Sequence, residues 1–402
     1  MRITEVVMDS EQARRPQRRG RARARQDAAA PASDATPAPQ SHQGARARQA
    51  DIARAAGVSQ ATVSLVLSDA EAGERRVGEA TRRRVLEVAQ QLGYSVNPAA
   101  RSLAGGRNRL LGVYTFEAIF PSRDRDFYNP FLVTIEQEAE RAAYDLLLFT
   151  SATLPDQRRR SIYAGGVNRL ALADGCVLLG RRENQEEVAR LAREGFPFVY
   201  VGRREIPDCE FAYVAADYAS ATTRVVSHLV ELGHRSIVYL GAYKPKAPDS
   251  DREDGWHAAV RQAGLGQDDA RLLRLGRRRE IEKVVAQLRA EGRTALVLED
   301  PELAERYFGV IAGMGLDVPG DISVAVLGDV PSPGGSSSGW NGFRIPREEM
   351  ARQAVRLLLE AIETPPPRPR NITVPCSYSA GTTVDRPPRA ARRRTSTRGR
   401  SR

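Results

Sequence analysis

The sequence predicts a mixed α/β protein, with a small all-α domain followed by a large core of two parallel-sheet lobes. Three short amphipathic helical patterns occur between residues 49 and 93. From residue 110 onward, apolar stretches of strand length alternate with amphipathic helical stretches, which is typical of parallel sheets covered by helices on both faces. About 275 residues of this alternation are too many for one hydrophobic core, so two lobes are expected.

The composition excludes several classes of protein. The 402 residues are 41% hydrophobic and 28% charged, as in globular proteins, and no stretch approaches the about 18 to 20 apolar residues of a membrane span. An Arg-rich stretch without an apolar signal-peptide core follows the first residues, so we expect a cytoplasmic protein. The three cysteines and four histidines are scattered, so we expect no disulfide, metal site or cofactor.

The net charge of +11 is unevenly distributed along the chain. Residues 1–45 carry +3, residues 46–109 carry +5 and residues 386–402 carry +8, whereas residues 110–385 carry −5. Residues 1–45 and 386–402 lack apolar periodicity, which predicts a disordered basic tail at one end and a disordered Arg-rich tail at the other. Basic ends around a mildly acidic body indicate a polyanionic partner, with purely solvated tails as the alternative.

Residues 46–95 are predicted to form a helix-turn-helix domain. The helical patterns are QADIARAA, SQATVSLVL and EATRRRVLEVAQQLG. Their apolar positions are spaced to share one small core, made of Ile52, Ala53, Val58, Val63, Val66, Val85, Ala89 and Leu92. Gly57 supplies the tight turn between the first two helices, and Ser59 is a favourable N-cap for the second.

The second of these helices is predicted to read DNA. With Val63, Val66 and Leu67 facing the core, the outward residues are Gln60, Ala61, Ser64 and Leu65. Gln60 can hydrogen-bond an adenine edge or a phosphate, whereas Ala61 and Leu65 can contact a thymine methyl group in the major groove. A helical hairpin that does not bind DNA is the alternative interpretation.

Residues 96–109 are predicted to form a hinge helix and linker. The helix would run from Asn97 to Leu103, with Pro98 at its start and Gly105 and Gly106 after its end. Seven residues are too few for a stable isolated helix, so we expect it to fold on DNA with Leu103 inserted into the minor groove. An ordinary linker is the alternative.

The core contains seven clear strand patterns between residues 110 and 330: LLGVYTF, DLLLFTS, GCVLLG, PFVYVG, SIVYLG, TALVLED and DISVAVLG. Between them lie the helical patterns PFLVTIEQEAERAAY, ATTRVVSHLVELG, REIEKVVAQLRAEG and PELAERYFGVIAGMG. A late helix, REEMARQAVRLLLEAIE, and one terminal strand, NITVPCSYSAG, are predicted to complete the architecture.

Residues 48–385 resemble the lactose-repressor/galactose-repressor family of transcription factors. The resemblance is carried by DIARAAGVSQATVSLVL, VGEATRRRVLEVAQQLGY, NPAARSL, YNPFLVTIEQEAER, the pair DG at 174–175, LVELGHRSIVYLG, GLDVPGDISV and FRIP. It implies a homodimer whose heads bind a near-palindromic operator while hinge helices bend the DNA. It also implies a periplasmic-binding-protein-like core over residues 110–385, which dimerises and binds a small-molecule effector, usually a sugar, between its lobes.

The helix pattern and the resemblance together predict a set of DNA-binding residues. The set is Arg48, Ser59, Gln60, Ala61, Thr62, Ser64, Leu65, Asn97, Ala100, Arg101 and Leu103. The family commonly has a Thr where this chain has Arg48, which can still reach a phosphate. Leu65 stands where the family often has a polar residue, so the base preference is not transferred.

A sugar pocket needs aromatic faces against the ring and carboxylate, amide or guanidinium groups for the hydroxyls. The resemblance places Arg252, in a polar stretch expected just before a helix, on the cleft with Phe131, Trp256, Glu299 and Asp300, and with Asp217 and Asp329 as further candidates. Glu299 replaces the Asn typical of the family, and Gly328 replaces an acidic residue. A polyol or an amine-bearing sugar therefore fits better than a sugar phosphate, with surface salt bridges as the alternative role for each residue.

Four other functions compete with that of a DNA-binding repressor that responds to a sugar. An α/β sugar-processing enzyme needs a motif such as GxGxxG after the first strand, GxxxxGK[ST] or GxSxG, and the sequence has none. A periplasmic solute receptor needs a signal peptide and no basic head. A nucleoid-type DNA binder with no effector, or a regulator with a non-sugar effector, keeps the same head. We therefore expect a nucleoid-associated regulator and no enzyme, with the effector acting as inducer or as corepressor.

Overall fold

The described part of the N-terminal head contains three helices that pack around one core. The computed structural model describes residues 47–67, 77–94, 107–116, 125–150, 160–180, 184–242, 247–275, 278–299, 301–328 and 339–388. In the head these residues form α1 (Gln49–Ala56), α2 (Gln60–Leu67) and α3 (Glu79–Gln91), as predicted. The helices bury one shared cluster: Ile52, Ala53, Ala56, Val63, Val66, Val85 and Ala89.

The placement of Leu92 in this cluster is wrong. Leu92 is the C-cap of α3 and is 41% exposed. Gly93 adopts a φ of 60°, which turns the chain back so that the Tyr94 N–H donates to the Ala89 carbonyl at 2.9 Å. Tyr94 therefore packs against the cluster in place of Leu92, as a residue after a left-handed cap often does.

The core contains two six-stranded sheets. The strands of the first are β1 (Leu110–Thr115), β2 (Asp145–Phe149), β3 (Gly175–Leu179), β4 (Phe198–Val201), β5 (Tyr213–Asp217) and β11 (Asn371–Pro375). Those of the second are β6 (Ile237–Ala242), β7 (Ala270–Leu275), β8 (Ala295–Leu298), β9 (Ser323–Val326), β10 (Asn341–Arg344) and β12 (Ser377–Ser379). The orders are β11-β5-β4-β3-β1-β2 and β12-β10-β9-β8-β6-β7, with all pairs parallel except β12 to β10.

In the described part of the core, seven helices cover the sheets. Lobe 1 is the first sheet with α4 (Arg125–Arg141), α5 (Gln185–Arg193) and α10 (Arg347–Glu363). Lobe 2 is the second sheet with α6 (Tyr218–Glu231), α7 (Ala247–Gln262), α8 (Arg278–Ala290) and α9 (Pro301–Gly313). The central strands β3, β4, β8 and β9 are buried along their whole length, as expected for parallel strands covered on both faces. The predicted α/β fold of two parallel-sheet lobes is confirmed.

The main topological difference from the prediction lies at the C-terminal end of the core. The single predicted strand NITVPCSYSAG is two strands, β11 in lobe 1 and β12 in lobe 2, with only Cys376 between them. Strands β5, β7 and β10 are not among the seven predicted strand patterns. The predicted domain boundaries stay a prediction. The N-terminal tail, residues 389–402 of the C-terminal tail and most of the hinge lie outside the described residues. None of the described helices is long and apolar enough to cross a membrane.

His234 fastens the C-terminal segment to lobe 2. The ring is fully buried, with Nε2 2.7 Å from the Asp385 carbonyl oxygen and Nδ1 2.9 Å from the Thr294 hydroxyl. Burial lowers the pKa of the imidazole below its ordinary value, although the Asp385 carbonyl acts in the opposite direction. The unfolded chain therefore binds a proton at a higher pH than the folded protein does.

We expect the free energy of unfolding to fall as the pH drops below about 6.5, because the unfolded histidine takes up its proton in that range. The loss is complete below the lowered pKa of the folded state. His234→Asn should flatten this part of the profile, whereas replacing the exposed His257 by Asn should leave it unchanged. Urea denaturation between pH 5 and 8 measures the slopes, and equal slopes for both variants would contradict the assignment.

Candidate DNA-binding surface and effector cleft

The turn between α1 and α2 has the geometry that the sequence predicts. Gly57 ends α1 in the left-handed conformation, at a φ of 65°, and the next residue, Val58, donates its N–H to the Ala53 carbonyl at 3.0 Å. The Ser59 Oγ accepts the Thr62 N–H at 3.0 Å and lies 2.8 Å from the Thr62 hydroxyl. Ser59 is therefore the N-cap of α2, and the two hydroxyls stand together at the start of that helix.

Arg48 occupies the N-cap position of α1 without capping it by its side chain. Its backbone N–H donates to Asp51 Oδ2 at 2.9 Å, and Asp51 also pairs with Arg54 at 3.4 Å. The Asp51 side chain therefore caps the start of α1 by itself, whereas a Thr at position 48 would add a second side-chain cap. The Arg48 side chain is left exposed.

The outward surface of α2 is uncharged, and the arginines in the described part of the head lie on other elements. Gln60 and Ala61 are exposed, whereas Thr62, Ser64 and Leu65 are half-buried, so Leu65 projects less than predicted. The described arginines of the head lie on the other two helices and at the cap of α1: Arg48, Arg54, Arg82, Arg83 and Arg84. Such a surface suits base reading by α2 and phosphate binding by its neighbours. Asn97, Ala100, Arg101 and Leu103 lie outside the described residues.

The polar stretch around Arg252 is helical, so the prediction that Arg252 lies before a helix is wrong. It stands on the second turn of α7. The stretch tolerates a helix because its charges are paired: Asp249 with Arg252, Asp251 with Arg203, and Glu253 with Arg274. Pairs at a spacing of three residues, such as Asp249 and Arg252, also favour a helix directly.

The Arg252 guanidinium lies in a buried polar cluster at the carboxyl ends of β8 and β9. Its Nε donates to the Leu327 carbonyl at 3.2 Å and its Nη1 to the Pro248 carbonyl at 3.1 Å. Asp249 Oδ1 is 3.4 Å from Nη1, and the Tyr218 ring lies 4.0 Å below the guanidinium carbon. Burial by itself lowers the pKa of Arg252, but Tyr218 and Asp249 hold it above the ordinary value.

Glu299 is the second charged member of this cluster. It directly follows β8, is fully buried, and accepts a hydrogen bond from the Tyr239 hydroxyl at 2.9 Å. Burial and this carboxylate raise the pKa of Tyr239, so the phenol stays protonated and donates. A Cβ at Gly241 would lie 3.0 Å from Glu299 Oε1, so a glycine leaves room for the acid. Trp256 is buried against Tyr239, with ring centroids 5.5 Å apart.

The structure thus brings together Arg252, Trp256 and Glu299, at the edge where open parallel sheets bind ligands. Asp217 caps α6 by accepting the Ser220 N–H at 3.0 Å. It directly precedes Tyr218, whose ring contacts the Arg252 guanidinium. Phe131 is buried on α4 in lobe 1, with its ring 5.8 Å from that of Phe127. Asp300 and Asp329 lie outside the described residues.

Three residues of the cluster were missed at the sequence level: Tyr218, Tyr239 and Asp249. Asp249 stands three residues before Arg252, a spacing that would have identified it if the stretch had been predicted as a helix. Tyr218 follows the acidic end of β5, as ligand-facing residues often do in such sheets. Tyr239 lies within an apolar strand, where nothing in the sequence distinguishes it from a core residue.

An ion pair joins the two lobes beside this cluster. Arg203, just after β4 of lobe 1, binds the Asp251 carboxylate with Nε at 3.1 Å from Oδ2 and Nη2 at 2.5 Å from Oδ1. Nη2 also donates to the Ala247 carbonyl at 3.3 Å, at the first turn of α7. This forked contact holds lobe 1 against the helix that carries Arg252.

Family comparisons cover the head and the core in the order that the structure shows. Residues 50–97 match the family described as bacterial regulatory proteins, lacI family. Residues 115–295 match the periplasmic binding proteins and sugar binding domain of the LacI family, and residues 226–384 match a periplasmic binding protein-like domain.

Individual proteins show the same similarity. The HTH-type transcriptional regulator GalR of Escherichia coli K12 is 28% identical over 317 residues, covering 78% of this chain and 88% of GalR. The crystal structure of the lac repressor dimer bound to operator and the anti-inducer ONPF has a TM-score of 0.62 at 21% identity, covering 85% of this chain and all of that one. The complex of the regulator CelR with cellobiose has a TM-score of 0.55 at 20% identity, covering 84% of this chain and all of that one.

These similarities confirm the prediction of a regulator in place of an enzyme, because the matching family is one of bacterial regulatory proteins and relatives such as GalR are transcriptional regulators. The helix-turn-helix head, the two-lobe core and the matches from residue 50 to residue 384 agree with one another. The chain therefore belongs to the lactose-repressor/galactose-repressor family of DNA-binding transcriptional regulators.

Proposed function

We propose that this regulator is a homodimeric repressor that binds a near-palindromic operator and responds to a sugar bound between the lobes of its core. The observation that carries the proposal is the uncharged, exposed start of α2, in a head whose described arginines lie on other elements, on the same chain as the buried Arg252 cluster. The lac repressor structure, a dimer on its operator, supports the first part. The CelR complex with cellobiose supports the second. Such a protein acts in the cytoplasm, on the nucleoid.

The DNA contacts are assigned to two groups of residues. In the head, Gln60, Ala61, Ser64 and Leu65 face the major groove, and Arg48, Ser59 and Thr62 lie near the phosphates. In the hinge, Asn97, Ala100, Arg101 and Leu103 are assigned to the minor groove on sequence grounds alone. Because phosphate contacts dominate the affinity, binding should weaken steeply with added salt.

Gln60→Ala should weaken operator binding by about 1 to 3 kcal/mol and relax the preference at one base pair in each half-site, because a bidentate amide contact to a base is lost. Fragments selected from a genomic library, followed by footprinting and gel-shift titration, measure both effects. Gln90→Ala is the matched control, since Gln90 is exposed on α3. Protection of every sequence to the same extent by the wild type would contradict a sequence-specific repressor.

The effector is assigned to the cleft of Arg252, Trp256 and Glu299, with Phe131, Asp217, Asp300 and Asp329 as further lining residues. Among the described residues, Arg252 Nη2 has no hydrogen-bond acceptor, so it can bind a sugar hydroxyl. The cluster holds two buried carboxylates, Asp249 and Glu299, against one guanidinium. This balance favours neutral or amine-bearing sugars over sugar phosphates.

Thermal-shift titration tests the effector assignment, because a ligand that binds only the folded protein raises the melting temperature. Neutral sugars, amino sugars and sugar phosphates are compared with and without operator DNA. The expected result is stabilisation by members of the first two groups together with a change in operator affinity. Stabilisation by sugar phosphates alone would overturn the preferred ligand charge, and no stabilisation by any member would favour a regulator without a sugar effector.

A further inference from the structure

The chain enters lobe 1 from the head through residues 107–109, and the Asp174 side chain binds the backbone of this segment. Asp174 Oδ1 accepts the Asn108 N–H at 2.7 Å and Oδ2 accepts the Arg109 N–H at 2.8 Å. Both carboxylate oxygens are therefore used on two consecutive backbone amides. Hydrogen bonds from backbone amides to a carboxylate are charge-assisted and stronger than those between neutral groups.

The position of Asp174 in the sheet explains this geometry. Leu111 pairs with Gly175 in the β1–β3 register, so Asp174 stands opposite Leu110 and donates its own N–H to the Leu110 carbonyl at 2.9 Å. The Asp174 carboxylate then extends beyond the end of the β1–β3 pairing and accepts the backbone N–H groups of Asn108 and Arg109. Asp174 thus extends the pairing of β1 by two residues toward the head, where no strand partner continues on that side.

The backbone that Asp174 holds is strained. Arg109 has a φ of 56°, in the left-handed region that costs a non-glycine residue about 1 kcal/mol or more. On the side of β2, the Arg109 carbonyl accepts the Asp145 N–H at 2.9 Å. The side-chain Nδ2 of Asn108 donates to the Leu172 carbonyl at 3.3 Å, and the Arg107 Nη2 donates to the Ile362 carbonyl at 3.4 Å. A fixed, unfavourable turn at this point sets the direction in which the chain leaves lobe 1.

We propose that Asp174 is a positioning residue for operator binding, which fixes the exit of the head-bearing chain relative to lobe 1. This inference rests on the proposed operator binding by paired heads. In a dimer, the second head binds its half-site at an effective concentration that depends on how the connecting chain is held. If the chain that leaves lobe 1 is held less firmly, the effective concentration of the second head at its half-site falls. The position of the lobe then also has less influence on the spacing of the two heads.

Asp174→Ala should weaken operator binding at least tenfold and accelerate hydrogen exchange of the Asn108 and Arg109 amides at least tenfold, because both lose their acceptor. The operator is the fragment selected by the wild type, and affinities are taken well below the melting temperature with the active fraction titrated. Asp145→Ala is the matched control, since this exposed acid begins β2 at the same edge of the sheet and should change neither quantity.

Asp174→Asn provides a second variant of the same shape that keeps one acceptor oxygen, and an intermediate loss of affinity is expected. The proposal would be overturned if Asp174→Ala bound the operator with wild-type affinity, even with a lowered melting temperature. If the alanine variant does not fold, wild-type affinity in Asp174→Asn would overturn it in the same way. Failure of the wild type to select any DNA would instead sink the proposed operator binding, so the two failures are distinguishable.

Discussion

Gly255→Ala should be among the most destabilising single substitutions in the core. Gly255 lies at the crossing of α6 and α7, and a Cβ there would stand 2.2 Å from the Ala219 carbonyl oxygen and 2.9 Å from Thr222 Cβ. Because the first obstacle is helix backbone, the two helices must separate. Such overpacking costs about 1 to 3 kcal/mol or more, which exceeds the about 0.5 to 1 kcal/mol that alanine gains over glycine inside a helix.

The substitution should also disturb the effector cleft, since Arg252 and Trp256 lie within one turn of Gly255 on the same helix. Urea denaturation measures the stability change and effector titration measures the affinity. Gly309→Ala on α9 is the matched control, because a Cβ there meets nothing within 4 Å. That variant should be stabilised by about 0.5 to 1 kcal/mol, and destabilisation of equal size in both variants would contradict the steric account.

Arg252→Ala should lower the free energy of unfolding by about 3 to 5 kcal/mol, because it breaks a buried ion pair by removing the guanidinium beside the Asp249 carboxylate. Arg252→Lys keeps the charge but cannot donate simultaneously to the Leu327 and Pro248 carbonyls. Both variants should lose the effector response while they still bind operator without effector. Calorimetric titration of an identified effector, alongside denaturation and gel shifts, measures the three quantities.

The control for this prediction is Arg271→Ala. Arg271 pairs with Glu291 at 3.0 Å on the surface of lobe 2, where an exposed ion pair contributes about 0 to 1 kcal/mol. Wild-type effector affinity in the Arg252→Lys variant would remove Arg252 from the effector site. If Arg252→Ala lost no more stability than Arg271→Ala, the expected cost of breaking the buried pair of Arg252 and Asp249 would be contradicted.

The head and most of the sheets were predictable because their signals are local. Gly57 and Ser59 fix the turn between α1 and α2 by their own conformational preferences, and continuous apolar strands such as β3 mark a doubly covered parallel sheet. The helix at Arg252 was missed because its polar residues are paired with Arg203 and Arg274, which lie far away in the sequence. Such long-range ion pairs depend on the tertiary fold, and the hydrophobic periodicity of the sequence does not indicate them.

The split between β11 and β12 was missed for a similar reason. The stretch NITVPCSYSAG has continuous strand character, and only the presence of two competing sheet edges decides that it divides at Cys376. At the effector cleft, the sequence singled out charged and aromatic residues at strand ends but not Tyr239, which is chemically distinct only because Glu299 folds against it. The inter-lobe contact of Arg203 likewise depends on how closely the two lobes approach.

The route of the chain through the core has a consequence for how this protein can be divided. It passes between the lobes after β5, again between β10 and α10, and a third time at Cys376. A fragment that stops before Arg347 would lack a helix and an edge strand of one lobe and an edge strand of the other. Neither lobe is therefore built from one continuous segment of the chain, and exchange of a whole lobe between relatives requires three simultaneous joins, whereas exchange of the head requires one.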